Sequence, residues 1–359
     1  MTLGTATNST YGAESARTRP PRSVILIGWD GAQRQHVMEC LQRGELPALK
    51  ALADEGSFHY IDVRGTTDTK AGWSQILTGY DPDVTGVYSN SRFQPVPRGL
   101  SVFERLQERF GPAFVTVAVI AKKQHCGEIR PPTKEPLTDG KTGPARPAQD
   151  RKNDNAGRNK DFVPRQGKPD AATKIVEEHG VKYKVFPGSP YYHMKDGCNQ
   201  WIYGLMRDEA VGTTAIELLE QYREKPSFFF VHFAEVDHNG HKFGENSEEY
   251  NDALISNDRW TGRIVQKLKD LGLYDKTLIY VTADHGFDEG RRAHKNARRV
   301  FLVTNDPMVK RNGDRADITP TIYKRLGVDL SMFQPPLAGA PLDQRTRVPS
   351  RSKPSKFRR

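Results

Sequence analysis

Cysteine is scarce. Cys40, Cys126 and Cys198 are the only three in 359 residues, too few and too scattered for a disulfide framework or a thiolate zinc site. That scarcity favours a reducing, cytoplasmic setting. No run is long and apolar enough to span a bilayer. Residues 1–21 are polar and lack the apolar segment of a signal peptide, so they read as a loose arm. There is no internal repeat and no low-complexity tract. Apolar residues make up 36% of the chain, so part of it is not expected to pack. The length is still ample for a sizeable core.

Positive charge is in excess, with a formal net charge of +10. Such a field attracts anions: nucleic acid, acidic membrane or small phosphorylated molecules. Much of the excess lies in two segments that read as unfolded, Arg130 to Lys168 and the tail from Arg345 to Arg359. Runs of this kind are ordinarily solvated. A small phosphorylated substrate is therefore expected, and nucleic acid is not expected as a dedicated partner. Oligomeric state is not legible.

Short β-rich runs alternate with helical patterns, the signature of an α/β fold with a mostly parallel central sheet and helices on both faces. The strand runs are Val24–Ile27, Phe114–Ile120, Phe228–Phe233, Leu278–Thr282 and Val300–Val303. None alternates, as expected for strands buried on both faces. Helices are expected over Pro47–Ala53, Leu100–Arg109, Asp208–Tyr222, Ser247–Leu271 and Ile318–Leu326, the last capped by Asp317. The organisation expected is one catalytic domain over 22–345, a partly mobile insertion at about 127–196, and a basic disordered tail over 346–359. The second half of the insertion carries apolar anchors, Val181, Tyr183, Val185, Phe186, Tyr191 and Tyr192, suited to packing over the sheet edge.

Open parallel sheets bind ligands at the carboxyl ends of their strands. The first run is followed by Asp30-Gly31, the third by Glu235-Val236-Asp237-His238-Asn239-Gly240-His241, and the fourth by Asp284-His285-Gly286, with His294 shortly after. Each pattern alone is an ordinary turn or cap. Three strand ends that all terminate in Asp or His point to a divalent cation. Asp237 and His241 are four apart, so one helical turn or a tight loop brings both to one ion. His232, inside a strand run, reads as a core histidine, and His238 as facing away from Asp237. The stretch Thr67 to Gly79 reads as a short helix over Lys70–Leu77, closed by Gly79. Thr69 stands at its N-cap position. It is either a capping threonine or a hydroxyl placed where a helix N-terminus holds phosphate.

These motifs resemble the alkaline phosphatase superfamily, nearest its type I phosphodiesterase/nucleotide pyrophosphatase branch. The matching residues are Asp30-Gly31, Thr69 nine residues before Thr78-Gly79, the stretch Tyr80 to Gly86 with Pro82, Asp237 to His241, Asp284-His285-Gly286, and His294. The resemblance spans about Val24 to Leu342, apart from the insertion. It implies Thr69 as nucleophile and two divalent ions, zinc or alternatively manganese. Asp30, Thr69, Asp284 and His285 would hold one ion, and Asp237, His241 and His294 the other. Lys70, Asn90, Lys122 and Lys123 are the implied substrate contacts, and Trp73 is available to pack against an ester group. Gly72 replaces an Asn that many diesterases carry three residues after the nucleophile. Sulfatases of the superfamily have Cys or Ser followed by Pro and Arg, where this chain has Thr69, Ala71 and Trp73. The reading is therefore a phosphodiester or pyrophosphate hydrolase acting through a phosphothreonine. Its alternatives are a phosphomonoesterase or phosphonate hydrolase, then a phosphoryl transferase of phosphoglycerate-mutase type, then a basic anion-binding module.

Overall fold

The structure is a computed structural model and describes residues 22–123, 125–137 and 172–343. The expected N-terminal arm, most of the first half of the insertion and the basic tail lie outside the described residues.

In chain order the elements are β1 Ser23–Trp29, α1 Arg34–Gln42, α2 Pro47–Glu55, β2 Ser57–Asp62, α3 Thr69–Thr78, α4 Pro82–Thr85, α5 Val102–Phe110 and β3 Val115–Ala121. The insertion adds β4 Thr133–Pro136, β5 Lys174–Glu178 and β6 Val181–Phe186. Then come β7 Gln200–Leu205, α6 Asp208–Gln221, β8 Ser227–Phe233, α7 Glu235–Phe243, α8 Glu248–Asp270, β9 Thr277–Thr282, β10 Arg299–Thr304, β11 Gly313–Asp314 and α9 Ile318–Arg325.

Eight strands form one sheet in the order β11-β2-β10-β9-β1-β8-β3-β7. The pairs around its centre are parallel: β9 with β1, β1 with β8, β8 with β3 and β3 with β7. All five expected strands form. β1, β3, β8 and β9 are buried along their whole length, which is why their sequences run apolar without alternation. The run Val300–Val303 is the exception to parallel geometry: β10 is antiparallel to both β9 and β2. β2 was not expected, because its residues are only partly buried.

The helices follow local signals. Ser101 and Glu104 form a reciprocal capping box on α5. Ser247 caps α8 by accepting from the Tyr250 N–H. Pro47 opens α2, whose next two N–H groups donate to the Asp258 carboxylate. Among the described residues no helix is long and apolar enough to cross a membrane.

Within the insertion β4, β6 and β5 make a separate antiparallel sheet. Of the expected anchors, Phe186 and Tyr191 are buried; Phe186 meets Phe93 edge-on and Tyr191 leans on Trp201 of β7. Val181 is 42% exposed and anchors nothing.

The fit between β1 and α3 fixes the helix that begins at Thr69. α3 is buried along its whole length, and the Trp73 ring lies over Gly28. A Cβ at Gly28 would stand 2.3 Å from Trp73 Cη2, so only glycine lets the helix come this close. Gly28→Ala is expected to cost about 1–3 kcal/mol through overpacking, seen as a lower urea midpoint at unchanged slope. An unchanged midpoint would show that α3 does not depend on this contact.

Candidate active site

Four neighbouring parallel strands, β9, β1, β8 and β3, discharge their carboxyl ends at one edge. β1 leads into Asp30, β9 into Asp284, β8 into α7 with Asp237 and His241, and β3 into Lys123. The first turn of α3 brings in Thr69. Asp30, Thr69, Asp237, Asp284 and His285 are all buried.

The hydrogen bonds of the histidines aim their second nitrogens inward. His285 Nδ1 lies 2.9 Å from the Gly286 carbonyl and His241 Nδ1 lies 3.0 Å from the Arg292 carbonyl. A carbonyl only accepts, so in both rings Nδ1 carries the proton and Nε2 offers its lone pair. Burial lowers His285 from the ordinary histidine range. Burial and then the His285 ring lower His294 to about 4. Both imidazoles are therefore neutral at pH 7 and able to ligate. The Thr69 hydroxyl donates to His285 Nε2 at 3.2 Å.

That nitrogen is also 3.6 Å from Asp30 Oδ1, Asp237 Oδ1 and Asp284 Oδ2. Asp237 Oδ1 lies 3.5 Å from His241 Nε2. Atoms arranged tetrahedrally around an ion with bonds of about 2.0–2.1 Å are ~3.3 Å apart, so the spacing fits a zinc-sized ion. Among the described residues two groups of side chains lie close enough to hold a metal, Asp30–Asp284–His285 and Asp237–His285–His294. The seven residues expected from the sequence are thus brought together. His285 belongs to both groups, so the two halves are less separate than the sequence reading had them. Asp237 Oδ1 and Asp284 Oδ2 are buried with no hydrogen-bond partner, as ligand atoms awaiting a cation would be.

The electrostatics make the same point. Burial pushes up the Asp30 carboxyl, but Lys123 and His232 outweigh it and hold it well below the usual carboxylate range. Burial and the charge of Asp30 push Asp284 well above it. Lys123 Nζ is 2.6 Å from Asp30 Oδ1 and also pairs with Asp237 Oδ2. It ties together one carboxylate from each group.

Three expectations need correction. Thr69 is the first helical residue, not the cap. The N-cap is Asp68, whose carboxylate accepts from the Asn90 N–H, so the Thr69 hydroxyl is not spent on capping. Lys70 is buried and does not line the cleft; its ammonium stands 3.5 Å from the centre of the Phe93 ring and donates to the Asn90 carbonyl. Trp73 is fully buried and cannot touch an ester group; its indole N–H donates to Asp30 Oδ2 at 2.9 Å.

The cleft, of about 410 Å³, is lined by Thr69, Asn90, Lys122, Lys123, His125, Asp237, His241 and His294, and also by His238, which the sequence reading had facing away from Asp237. His232, read as a core residue, is buried but also donates to Asp30 Oδ2 at 2.8 Å. Its place in an otherwise apolar strand was the one available signal. Arg315 escaped the sequence reading altogether: it donates to the Asp284 carbonyl and to Gln75. Gly72 has no room for the diesterase Asn, since a Cβ there would lie 2.8 Å from Asp284 Cβ and from the Arg315 guanidinium.

The fold, with candidate metal-ligating strand ends along one edge of the sheet, is that of the alkaline phosphatase class. Over most of the chain it is similar to solved structures at low identity. One is a protein in the alkaline phosphatase superfamily from Vibrio parahaemolyticus (TM-score 0.53, 15% identity, covering 91% of this chain and 72% of that one). Another is the lipoteichoic acid synthase LtaP of Listeria monocytogenes (0.51, 14%, 95% and 78%). The chain belongs to the type I phosphodiesterase / nucleotide pyrophosphatase family, whose model matches residues 24–326. It is 41% identical over 68 residues to ectonucleotide pyrophosphatase/phosphodiesterase family member 1 of Mus musculus, covering 19% of this chain and 7% of that protein. It is 35% identical over 82 residues to the venom phosphodiesterase CdcPDE of Crotalus durissus collilineatus, covering 23% and 10%. The matched segments are thus a small part of the curated relatives' length.

Lys123→Met tests the charge balance. In chelator it leaves three buried carboxylates without their ammonium, and a loss of about 3–5 kcal/mol is expected. With saturating zinc or manganese the loss should shrink. An equal loss in both conditions would show that no cation enters between these carboxylates.

Proposed function

We propose that the chain hydrolyses phosphate esters, with phosphodiester or pyrophosphate bonds preferred, by in-line attack of Thr69. The observation that carries the reading is the Thr69 hydroxyl, on the first residue of a buried helix, 3.2 Å from His285 Nε2 and beside carboxylates with unpartnered oxygens. Asp30, Asp284, His285 and Thr69 would hold one divalent ion, and Asp237, His241 and His294 the second. Zinc suits this N/O donor set, and manganese is the alternative. Bound there, two divalent ions supply positive charge for the attacking and leaving oxygens of an in-line displacement.

The chain's own residues do the rest. Thr69 Oγ1 gives up its proton to solvent and forms the new bond to phosphorus, while the ester oxygen departs on the opposite side with the electron pair of the broken P–O bond. Water entering from that side cleaves the phosphothreonine, frees Thr69 and retains configuration at phosphorus. Asn90 is held for a phosphoryl contact: its backbone N–H donates to Asp68 and its side-chain oxygen accepts from the Lys70 N–H. Its amide N–H₂ is thereby directed away from both. Lys122 lines the cleft and supplies charge there. Lys123 is committed to Asp30 and Asp237. This leaves little positive charge for a phosphate dianion, which favours a diester. A phosphomonoesterase or phosphonate hydrolase is the second reading, and what favours it is Lys122 at the cleft mouth. The insertion, through Tyr191, whose hydroxyl donates to the carbonyl of the cleft residue His125, is proposed to set substrate choice.

Thr69→Ala is expected to fold normally and to retain at most a few per cent of turnover on bis-p-nitrophenyl phosphate. More residual activity means that another residue attacks. Elemental analysis of reconstituted protein should give about two metal equivalents, falling to about one in Asp237→Ala/His241→Ala; one equivalent in the parent protein removes the second site. The ratio of kcat/KM for a diester over its matched monoester should exceed one, and a ratio below one selects the second reading.

A further inference from the structure

Behind the loop that carries His294 lies a second, larger cavity, of about 1070 Å³. Five arginines line it: Arg34 at the start of α1, Arg291, Arg292 and Arg298 on the loop, and Arg299 at the start of β10. Two carboxylates share it, Asp288 and Glu289, leaving three positive charges in excess (five minus two). Both are already satisfied by neutral donors: Glu289 accepts from the side chains of Gln33 and Asn246, and Asp288 from the backbone and side chain of Asn296. Among the described residues no carboxylate pairs with Arg291, Arg292, Arg298 or Arg299. Arg34 lies 3.9 Å from the Asp62 carboxylate and 4.3 Å from the centre of the Tyr60 ring, and its Nη1 is buried without a hydrogen-bond partner among the described residues.

Uncompensated guanidiniums that converge on a concavity form a receptor for anions with paired oxygens, because each fork presents two parallel N–H donors. The volume is that of a small-molecule site. Single-stranded nucleic acid would need stacking platforms, and the one aromatic in the lining, Phe287, is buried against His241, His285 and His294. We infer that this cavity is a second anion site, separate from the cleft at Thr69, and that it takes a small polyphosphate anion.

The cavity and the candidate active site share this loop: the Arg292 carbonyl holds His241, and His294 follows two residues later. The inference does not depend on the reaction proposed for Thr69.

The test is calorimetric titration of the full-length, metal-loaded protein with inorganic tripolyphosphate. Magnesium is kept in excess over the titrant, so that the titrant strips no ions from the protein. The cavity is expected to contribute one site, in addition to any occupancy of the cleft at Thr69. Arg34→Gln/Arg291→Gln/Arg298→Gln should weaken it at least tenfold. The milder Arg291→Gln/Arg298→Gln, on two exposed side chains, should weaken it in the same direction without disturbing the fold. Thr69→Ala/Asn90→Ala, which alters the cleft, should change it less than twofold. Arg109→Gln/Arg259→Gln, which removes the same charge elsewhere on the surface, should also change it less than twofold. Absence of binding overturns the inference. So does an affinity that follows the cleft variant, or one that falls as far in the distant-arginine control as in the cavity variants.

Discussion

Three carboxylates buried within reach of one imidazole form the constraint on which this structure turns. Asp30, Asp237 and Asp284 lie about His285 Nε2 at equal distances. Water would not hold them there, because burial of like charges is costly unless cations answer them. One answer is covalently part of the chain, the Lys123 ammonium at the end of β3. It cannot serve all three, and the unpartnered oxygens on Asp237 and Asp284 show where it falls short.

The surrounding elements are arranged to keep that unfavourable cluster in place. Asp30 is gripped from behind by His232 of β8 and Trp73 of α3. Asp284 is backed by Arg315, which also donates to carbonyls of the chain just before α3. α7 carries Asp237 and His241, and it is capped by a residue from another element. Asp208 at the start of α6 accepts from the Ala234 and Glu235 N–H groups, and burial and the charge of Glu235 push its carboxyl up to about 7. Asp30, Asp284 and the start of α7 are thus each placed by buried polar contacts from elsewhere in the fold, so the site depends on the tertiary fold and not on any one loop. The second coordination layer is what makes a ligand set rigid enough to select an ion.

Much of this was legible in the sequence. Buried parallel strands write themselves as largely apolar runs, and an Asp or His just after such a run is conspicuous against it. That is why Asp30, Asp237 and Asp284 could be picked out before their partners were known. Asp-His-Gly and the four-residue spacing from Asp237 to His241 reflect local backbone geometry, so they survive in sequence. What could not be read were contacts between residues distant in the chain. Arg315 stands 31 residues from the carbonyl that it supports, and nothing around it marks it as buried. Trp73 looked like a substrate contact because helix periodicity does not reveal that all faces of α3 are covered. Lys70 and Lys123 are each one of many lysines, and only the packing separates the one over a phenyl ring from the one between two aspartates.

Lys123 also bears on what the site can accept. On the proposed reading, two divalent ions and one ammonium face three carboxylates, which leaves two formal positive charges before substrate enters. A diester brings one negative charge. One positive charge then remains to meet the charge that grows on the departing oxygen, where electrostatic stabilisation matters most. A monoester dianion uses both charges in the ground state and leaves none for that oxygen. An enzyme for monoesters would need a further cation near the nucleophile, and the first turn of α3 supplies none: Ala71, Gly72 and Trp73 are uncharged, and Lys70 is turned into the core over Phe93. Lys122, at the mouth of the cleft, is the remaining source. On the proposed reading, the lysine that makes the carboxylate cluster tolerable without metal is committed to Asp30 and Asp237, and that commitment would tilt the same cleft toward the singly charged ester.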